Sequence, residues 1–284
     1  TAREYAAASG QAAICYTVGI TEHSCGTHNV QSLANLGMLC GNFGRPNAGV
    51  NALRGQNNVQ GAGDAGCIPT DLPGYQKLER AGVREKFEKA WGAPLPLRRG
   101  ITMITAMDQM LRGRVKAAYI MGENTVVSDP NANHAQHALE SLDFLVVQDI
   151  FLTETARLAD VVLPAASFAE SDGTFANSER RVQRVRPAVT PPAEAKPDVE
   201  ILLRLFEKMG KPQPFETPAE VFDELRRVSP IYGGLTHARL DREGGLQWPC
   251  PTEDHPGTVY LHKDEMDSHL RGFFAPVDHI PPQE

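Results

Sequence analysis

The sequence predicts an α/β protein of parallel-sheet βαβ lobes, and three features predict it. Short apolar runs of strand length recur along the chain. Stretches of helical periodicity lie between them, with strand starts up to about thirty residues apart, the spacing of βαβ units. Each later run ends abruptly in glycine, proline or side chains that hydrogen-bond.

The elements follow in order. Residues 12–20 (AAICYTVGI) read as a buried strand ending at Gly19. The next stretch puts Val30, Leu33, Leu36, Gly37 and Cys40 on one side of a helix that stops at Gly41-Asn42. Gly44, Pro46 and Gly49 keep the following segment irregular. Residues 54–74 (RGQNNVQGAGDAGCIPTDLPG) read as one long loop. Its amides satisfy fixed hydrogen-bond patterns and its glycines admit close backbone approach, which favours a binding loop over a linker. Residues 101–111 form an amphipathic helix with Ile104, Met107 and Leu111 on its inner face. Strand 115–121 is ended by Gly122-Glu123-Asn124. Helix 131–142 leads to strand 144–147, closed by Gln148-Asp149. A short helix at 155–159 precedes Val161-Val162-Leu163, which Pro164 stops. After Phe168 the chain turns polar, then proline-rich to Pro197. Helix 198–209 turns Ile201, Leu202, Leu205 and Phe206 inward. Thr217-Pro218-Ala219-Glu220 is a capping box with proline at the first helical position. From Gly233 onward periodicity fades. The expected division is 1–57 as the end of one α/β lobe and 58–168 as a second. Residues 169–235 would be a helical segment completing a neighbouring domain, and 236–284 an extended linker or tail.

Composition narrows the function. With 41% hydrophobic and 22% charged residues, the 284-residue chain is an ordinary globular sequence. A net charge of −7 argues against broad binding to nucleic acid or anionic membrane. No apolar run reaches the roughly 18–20 residues that span a bilayer, and no signal peptide opens the chain. The start, Thr-Ala-Arg-Glu-Tyr-Ala-Ala-Ala without Met, reads as the interior of a helix and suggests a fragment or processed product. Cys15, Cys25, Cys40, Cys67 and Cys250 form no CxxC pair, so they read as free, mostly buried thiols in a reducing, cytoplasmic setting. His23 and His28 flank Cys25 without a second cysteine at ligand spacing, and no metal ligand is assigned.

The chemistry is that of binding. Glu123, Asn124, Ser128, Gln148 and Asp149 stand where parallel strands end, the place where open α/β sheets bind ligands. The same residue types also cap helices, and pattern alone leaves both readings open. No GxGxxG follows a strand, and GxxxxGK[ST], GxSxG and HExxH are absent. Glu170 and Asp172 read as a solvated acidic pair. What remains is a ligand-binding α/β protein using amides, glycines and one notable arginine, Arg54.

Three blocks carry a resemblance: GNFGRPNAGVNALRGQNNVQGAGDAGCIPTDLPGYQ, AYIMGENTVVSDP and VVQDIFLTETARLADVVLPAASFAESDGTFANSERRVQR. In order and spacing they resemble the central segment of the large subunit of formate dehydrogenases in the dimethyl-sulfoxide-reductase superfamily of molybdopterin oxidoreductases. LQWPC near Gln247 extends the match. The resemblance implies formate oxidation to CO2 at molybdenum or tungsten held between two pterin guanine dinucleotides. It places the Cys or selenocysteine metal ligand, its neighbouring His and a 4Fe-4S cluster before this segment, and a barrel-like domain after it. The fragment alone is therefore expected to be inactive. Arg54 in RGQNNVQG matches the active-site arginine, whose fork of donors suits a carboxylate. Gln56 matches a pterin contact, and Glu22 lies where the family meets the cofactor near the first strand end. Asn124, Ser128, Gln148, Ala165 and Asp198 match further cofactor-binding positions, Ala165 through its backbone. Asp198, Gln148 and Asp149 are candidates for pairing with guanine. The stretches TEHSCGTHNV and ANSERRVQR resemble the soluble NAD-linked type. In that type NAD binds a flavin-containing partner subunit and iron–sulfur proteins relay electrons. Alternatives are a nitrate-reductase-like enzyme, a non-catalytic relative of the complex I iron–sulfur subunit, against which RGQNN speaks, or a binding module.

Overall fold

The computed structural model describes residues 2–8, 10–263, 272–278 and 281. Helix α1 (Ala2–Ala7) precedes strand β1 (Ala13–Tyr16), helices α2 (Val18–Thr21) and α3 (Gly26–Leu39), and β2 (Gly49–Ala52). Next come α4 (Val59–Asp64), β3 (Asp71–Leu72), β4 (Gln76–Lys77) and α5 (Ala81–Trp91). Helix α6 (Met103–Leu111), β5 (Ala117–Met121), α7 (Thr125–Ser128), α8 (Ala132–Glu140), β6 (Phe144–Asp149) and β7 (Val161–Pro164) form the βαβ region. The chain continues through β8 (Gly173–Ala176), β9 (Arg181–Val185), α9 (Asp198–Lys208), α10 (Pro218–Val228), α11 (His237–Glu243) and β10 (Leu246–Gln247).

These elements fall into two compact units. Unit 1 comprises Thr1–Ala62, Phe175–Gln183 and Pro230–Glu284. Unit 2 comprises Gly63–Thr174 and Arg184–Ser229. The segment read from sequence as 169–235 is thus shared between units, and the described part of 236–284 belongs to unit 1 and carries α11 and β10. Residues 264–271, 279–280 and 282–284 of that tail lie outside the described residues.

In unit 1, β1 and β2 pair in parallel, Ala13 opposite Gly49 and Tyr16 opposite Ala52. Helix α3 crosses between them and ends as expected: Gly41 takes φ +66, and its N–H donates to the Met38 carbonyl. Behind it Asn42 is fully buried, and its Oδ1 accepts from the Ala12 N–H at 3.4 Å. Farther along, α11 is capped by Thr236, whose hydroxyl accepts from the Arg239 N–H, and is closed by Gly244 at φ +73. Arg239 is buried and donates to Glu243 and to the carbonyls of Gly234 (3.1 Å), Thr252 (3.3 Å) and His255 (2.6 Å). Glu243 holds the Arg239 pKa above its ordinary value. One buried guanidinium therefore ties the helix to the loop after it.

In unit 2, β5, β6 and β7 form a parallel sheet in that order, with Met121 opposite Gln148 and Gln148 opposite Leu163. Met107 and Met110 of α6, Ala138 and Leu139 of α8, Leu145 and Val147 of β6, and Ala156 make its core. The inner face of α6 is Met107–Met110, while Ile104 is 75% exposed, so the expected Ile104–Leu111 stripe is rotated by about a turn's fraction. Alternation on β5 sends Ala118 and Ile120 into the core and leaves Tyr119 and Met121 on the opposite, partly exposed face. Helix α10 starts with the capping box read from the sequence, Thr217 and Glu220 satisfying each other's backbone N–H. Its partner is α5, which sequence periodicity missed. There Phe87 is fully buried edge-to-face with Trp91, and the Trp91 Nε1 donates to Glu224 at 3.0 Å.

Other expectations change. The loop of residues 54–74 contains α4 and β3, and Gly61–Gly66, which has GxGxxG spacing, lies in α4 and the turn after it. That is no strand-to-helix phosphate loop. The polar stretch after Phe168 contains the β8–β9 pairing, and β9 also pairs antiparallel with β10 through Val182 and Leu246. Of the five cysteines, Cys250 alone is buried, and Cys15 and Cys67 are exposed. Glu170 completes a capping box with Ser167, and Asp172 pairs with Arg184 at 2.9 Å, so this acidic pair is structural.

Candidate functional site

In unit 2 the sheet itself assembles the site. Three parallel strands end side by side, so everything following Met121, Asp149 and Pro164 collects at one edge. Gly122, at φ +60, turns the chain away from β5, and its N–H donates to the Gln148 carbonyl at 2.8 Å. Asn124 follows. Its Oδ1 accepts from the Thr155 N–H (3.2 Å) and hydroxyl (2.9 Å), and its Nδ2 donates to Glu154 at 2.8 Å. That last bond holds the Glu154 carboxyl below the usual range. Asn124 is thus a brace between two strand-end loops, with both amide atoms committed inside the protein. Ser128 closes α7 and donates to Glu123.

Gln148 is 1% exposed, and its amide is committed too. Its Oε1 accepts from the Tyr119 hydroxyl at 2.5 Å and its Nε2 donates to Asp198 Oδ1 at 2.5 Å. Burial, with the nearby Asp198 charge, raises the Tyr119 pKa, which keeps the phenol a donor. This Tyr119–Gln148–Asp198 chain aims a carboxylate from the first turn of α9, where the helix dipole favours it. The second Asp198 oxygen has no hydrogen-bond partner among the described residues. Ala165 sits beside them: its N–H donates to the Asp149 carbonyl, and it bridges to Lys196 two residues before α9. Asn124, Ser128, Gln148, Ala165 and Asp198 are therefore brought to one sheet edge. Tyr119 was missed by sequence reasoning; alternation along β5 was the signal that set it apart from the core.

In unit 1 the same logic acts on two strands. Glu22 ends α2 just past β1, exposed, with its N–H on the Val18 carbonyl. Leu53 extends the pairing, its N–H donating to the Tyr16 carbonyl at 2.8 Å, and Arg54 comes next. The Arg54 N–H donates to Ser178 Oγ at 3.0 Å, and its exposed guanidinium has no partner among the described residues. Gln56 is exposed beside it. Asn58, at φ +60, turns back so that its Oδ1 accepts from the Ala176 N–H at 2.9 Å. Ser178 and Asn58 lie in the blocks that carry the resemblance, but no sequence signal marked them as the contacts of this loop. Among the described residues no group of three His, Cys, Asp or Glu side chains is placed to hold a metal ion. No helix among them is long and apolar enough to cross a membrane.

The chain is 51% identical to the F420-dependent formate dehydrogenase 2 subunit alpha of Methanococcus maripaludis, over 98% of this chain and 41% of that one. It is 41% identical to formate dehydrogenase H of Escherichia coli, over 98% of this chain and 40% of that one. It thus spans about two fifths of the length of these relatives. Among solved structures, the acetylene hydratase of Pelobacter acetylenicus matches 70% of this chain and 29% of its own at a TM-score of 0.45 and 21% identity. The molybdopterin oxidoreductase family matches residues 4–208, most of the chain, and to that family the chain belongs.

Proposed function

We propose that the chain is the central part of the large subunit of a formate dehydrogenase, which oxidises formate to CO2 with a molybdenum or tungsten bis-pterin guanine dinucleotide. The observation that carries this reading is Arg54: a guanidinium without a partner among the described residues, on a loop whose backbone is held by Ser178, at the end of a parallel strand pair. The names of the relatives from M. maripaludis and E. coli support it. The donor set fits the cofactor. Guanine presents an N1–H and an amino group on one edge, and the outward Asp198 carboxylate, braced by Gln148, accepts from such a pair. Glu22, Gln56, Asn124, Ser128 and Ala165 shape the rest of the two strand-end edges.

Bound there, the metal centre would supply the two-electron acceptor that formate oxidation to CO2 needs, the reaction also releasing one proton. The chain's own residues bind and orient. Arg54 takes the carboxylate through two parallel N–H donors, which fixes the plane of the anion and offsets its charge. Asp198 holds the dinucleotide, Gln148 braces Asp198, and Tyr119 keeps the Gln148 amide turned so that its Nε2 donates to Asp198.

The remaining expectations are part of the proposal: a 4Fe-4S cluster elsewhere in the subunit, iron–sulfur and flavin partners, a cytoplasmic site, and NAD as final acceptor. The 284 residues alone are expected not to turn over formate, because they span two fifths of the relatives and hold no metal-ligand cluster among the described residues. The test is an assay of the complete enzyme with formate plus dye, formate plus NAD or F420, and reduced dye plus nitrate. Formate-driven dye reduction is expected. Nitrate reduction without formate oxidation would place the chain with the nitrate-reductase-like branch, and F420 reduction without NAD reduction would correct the acceptor.

A second prediction concerns the dinucleotide. Asp198→Ala removes the carboxylate and leaves the Gln148 amide without its acceptor. A lost pair of charge-assisted bonds is expected to lower metal and pterin content at least about tenfold under limiting supply. Asp198→Asn, which keeps one acceptor, should retain more. Equal metal content in wild type and Asp198→Ala would remove Asp198 from the cofactor site.

A further inference from the structure

We infer that Ser178 is the positioning residue of Arg54, so that the turn between β8 and β9 sets how firmly the enzyme holds its anionic substrate. The inference rests on the formate reading of Arg54 and adds a residue to it. An arginine side chain is long and rotatable, so its fork is placed only as well as the backbone that carries it. Among the described residues, the backbone between β2 and α4 has few bonds of its own: Leu53 N–H to the Tyr16 carbonyl (2.8 Å), and Val59 N–H to the Gln56 carbonyl at a long 3.4 Å. What holds it otherwise is the hairpin. The Ser178 hydroxyl accepts from the Arg54 N–H at 3.0 Å, and the Ala176 N–H donates to Asn58 at 2.9 Å, so the loop is pinned at both ends to one turn.

Both sides of this junction are built for it. Asn58 takes a left-handed conformation that asparagine tolerates better than most residues. Its amide folds back over the first turn of α4, where a Cβ on Gly61 would collide with it and displace it from the Ala176 N–H. On the hairpin side, Asn177 Oδ1 accepts from the Glu179 and Arg181 N–H groups, each at 3.0 Å. The Asn177 N–H donates to the Arg181 carbonyl at 3.1 Å, which closes the turn around Ser178. Arg180, at φ +67, anchors that turn. Its guanidinium donates to the carbonyls of Trp248, Thr258 and Val259 and stacks over the Trp248 ring. The order of support therefore runs from residues 248–259 through Arg180 and the turn to Ser178, and from Ser178 to Arg54. A structural cap on a loose loop would need no such buttress, and small misplacements of an orienting group cost rate steeply.

The test uses the holoenzyme with Ser178→Ala, Ser178→Thr and Arg54→Lys, each at measured metal content, with steady-state formate kinetics and amide hydrogen exchange over residues 53–57. Ser178→Ala is expected to speed exchange there severalfold and to raise the formate KM about five- to tenfold, with kcat changing less. Ser178→Thr, which keeps the hydroxyl, should return both to within about twofold of wild type. Unchanged exchange in Ser178→Ala overturns the inference, because the anchor would then not hold the loop. Faster exchange with an unmoved KM, while Arg54→Lys raises KM, also overturns it: the fork would not depend on its backbone. If neither variant moves KM at full metal content, the formate role of Arg54 is what fails.

Discussion

Replacing Arg54 by alanine in the complete enzyme should lower kcat/KM for formate by roughly a hundredfold or more while leaving the metal bound. A charge-assisted hydrogen bond contributes about 1.5–3 kcal/mol, and a bidentate guanidinium–carboxylate pair has two of them. A factor of ten in rate corresponds to about 1.4 kcal/mol, so even partial additivity gives a loss of that size. Arg54→Lys keeps the charge and loses the fork, and should fall between wild type and alanine. Cofactor retention is expected because, among the described residues, the Arg54 side chain has no partner and its N–H bond to Ser178 is one that alanine preserves. Near-normal turnover in Arg54→Ala at full metal occupancy would make Arg54 a structural residue of the loop.

The second large effect is on stability. Leu145 is 2% exposed in β6, packed in the core that α6 and α8 close over the sheet. Its N–H donates to Asp160 at 2.7 Å, so the backbone around it has little freedom to collapse into a cavity. Leu145→Ala is expected to destabilise unit 2 by about 2–5 kcal/mol, a shift of roughly 1–2 M in urea midpoint. Ile104→Ala, on the exposed side of α6, should stay within about 0.5 kcal/mol of wild type. Urea unfolding of both variants checks this, and a larger loss for Ile104 than for Leu145 would mean that the core face of α6 has been assigned wrongly.

That contrast shows where pattern reading reaches its limit. The α/β class was legible because β5, β6 and β7 are apolar runs closed by glycine, amide or proline, and the strand-end residues were legible because parallel strands expose one end. Thr217, Glu220, Gly41 and Asp198 announced their helix ends by chemistry that acts within four residues. Elements whose stability comes from distant partners were not legible. Helix α5 buries only Phe87, so its sequence is polar around most of its surface. Helix α11 turns a charged residue inward, and Arg239 reads as solvent-facing until its five oxygen partners are seen. Strand β9 carries two arginines whose charges are taken up locally, Arg184 by Asp172 and Arg181 by Glu179, and so resembles a polar linker. Ser178 and Tyr119 escaped notice for a related reason: a hydroxyl or phenol becomes part of a site only through what it touches, and Ser178 lies 124 residues from Arg54. The amides Asn124 and Gln148 stand at the strand-end edge of the sheet, where they hydrogen-bond Glu154, Thr155 and Asp198.

The proposal has two parts: the strand ends of unit 2 hold a guanine-bearing pterin, and Arg54 receives formate. Its most direct test is one preparation of the complete enzyme assayed for molybdenum and tungsten, for guanine nucleotide released on acid hydrolysis, and for formate-dependent dye reduction. The account predicts one metal ion and two guanine nucleotides per subunit, with dye reduction that rises in proportion to metal content. A preparation fully loaded with metal and guanine nucleotide that reduces no dye with formate would contradict it.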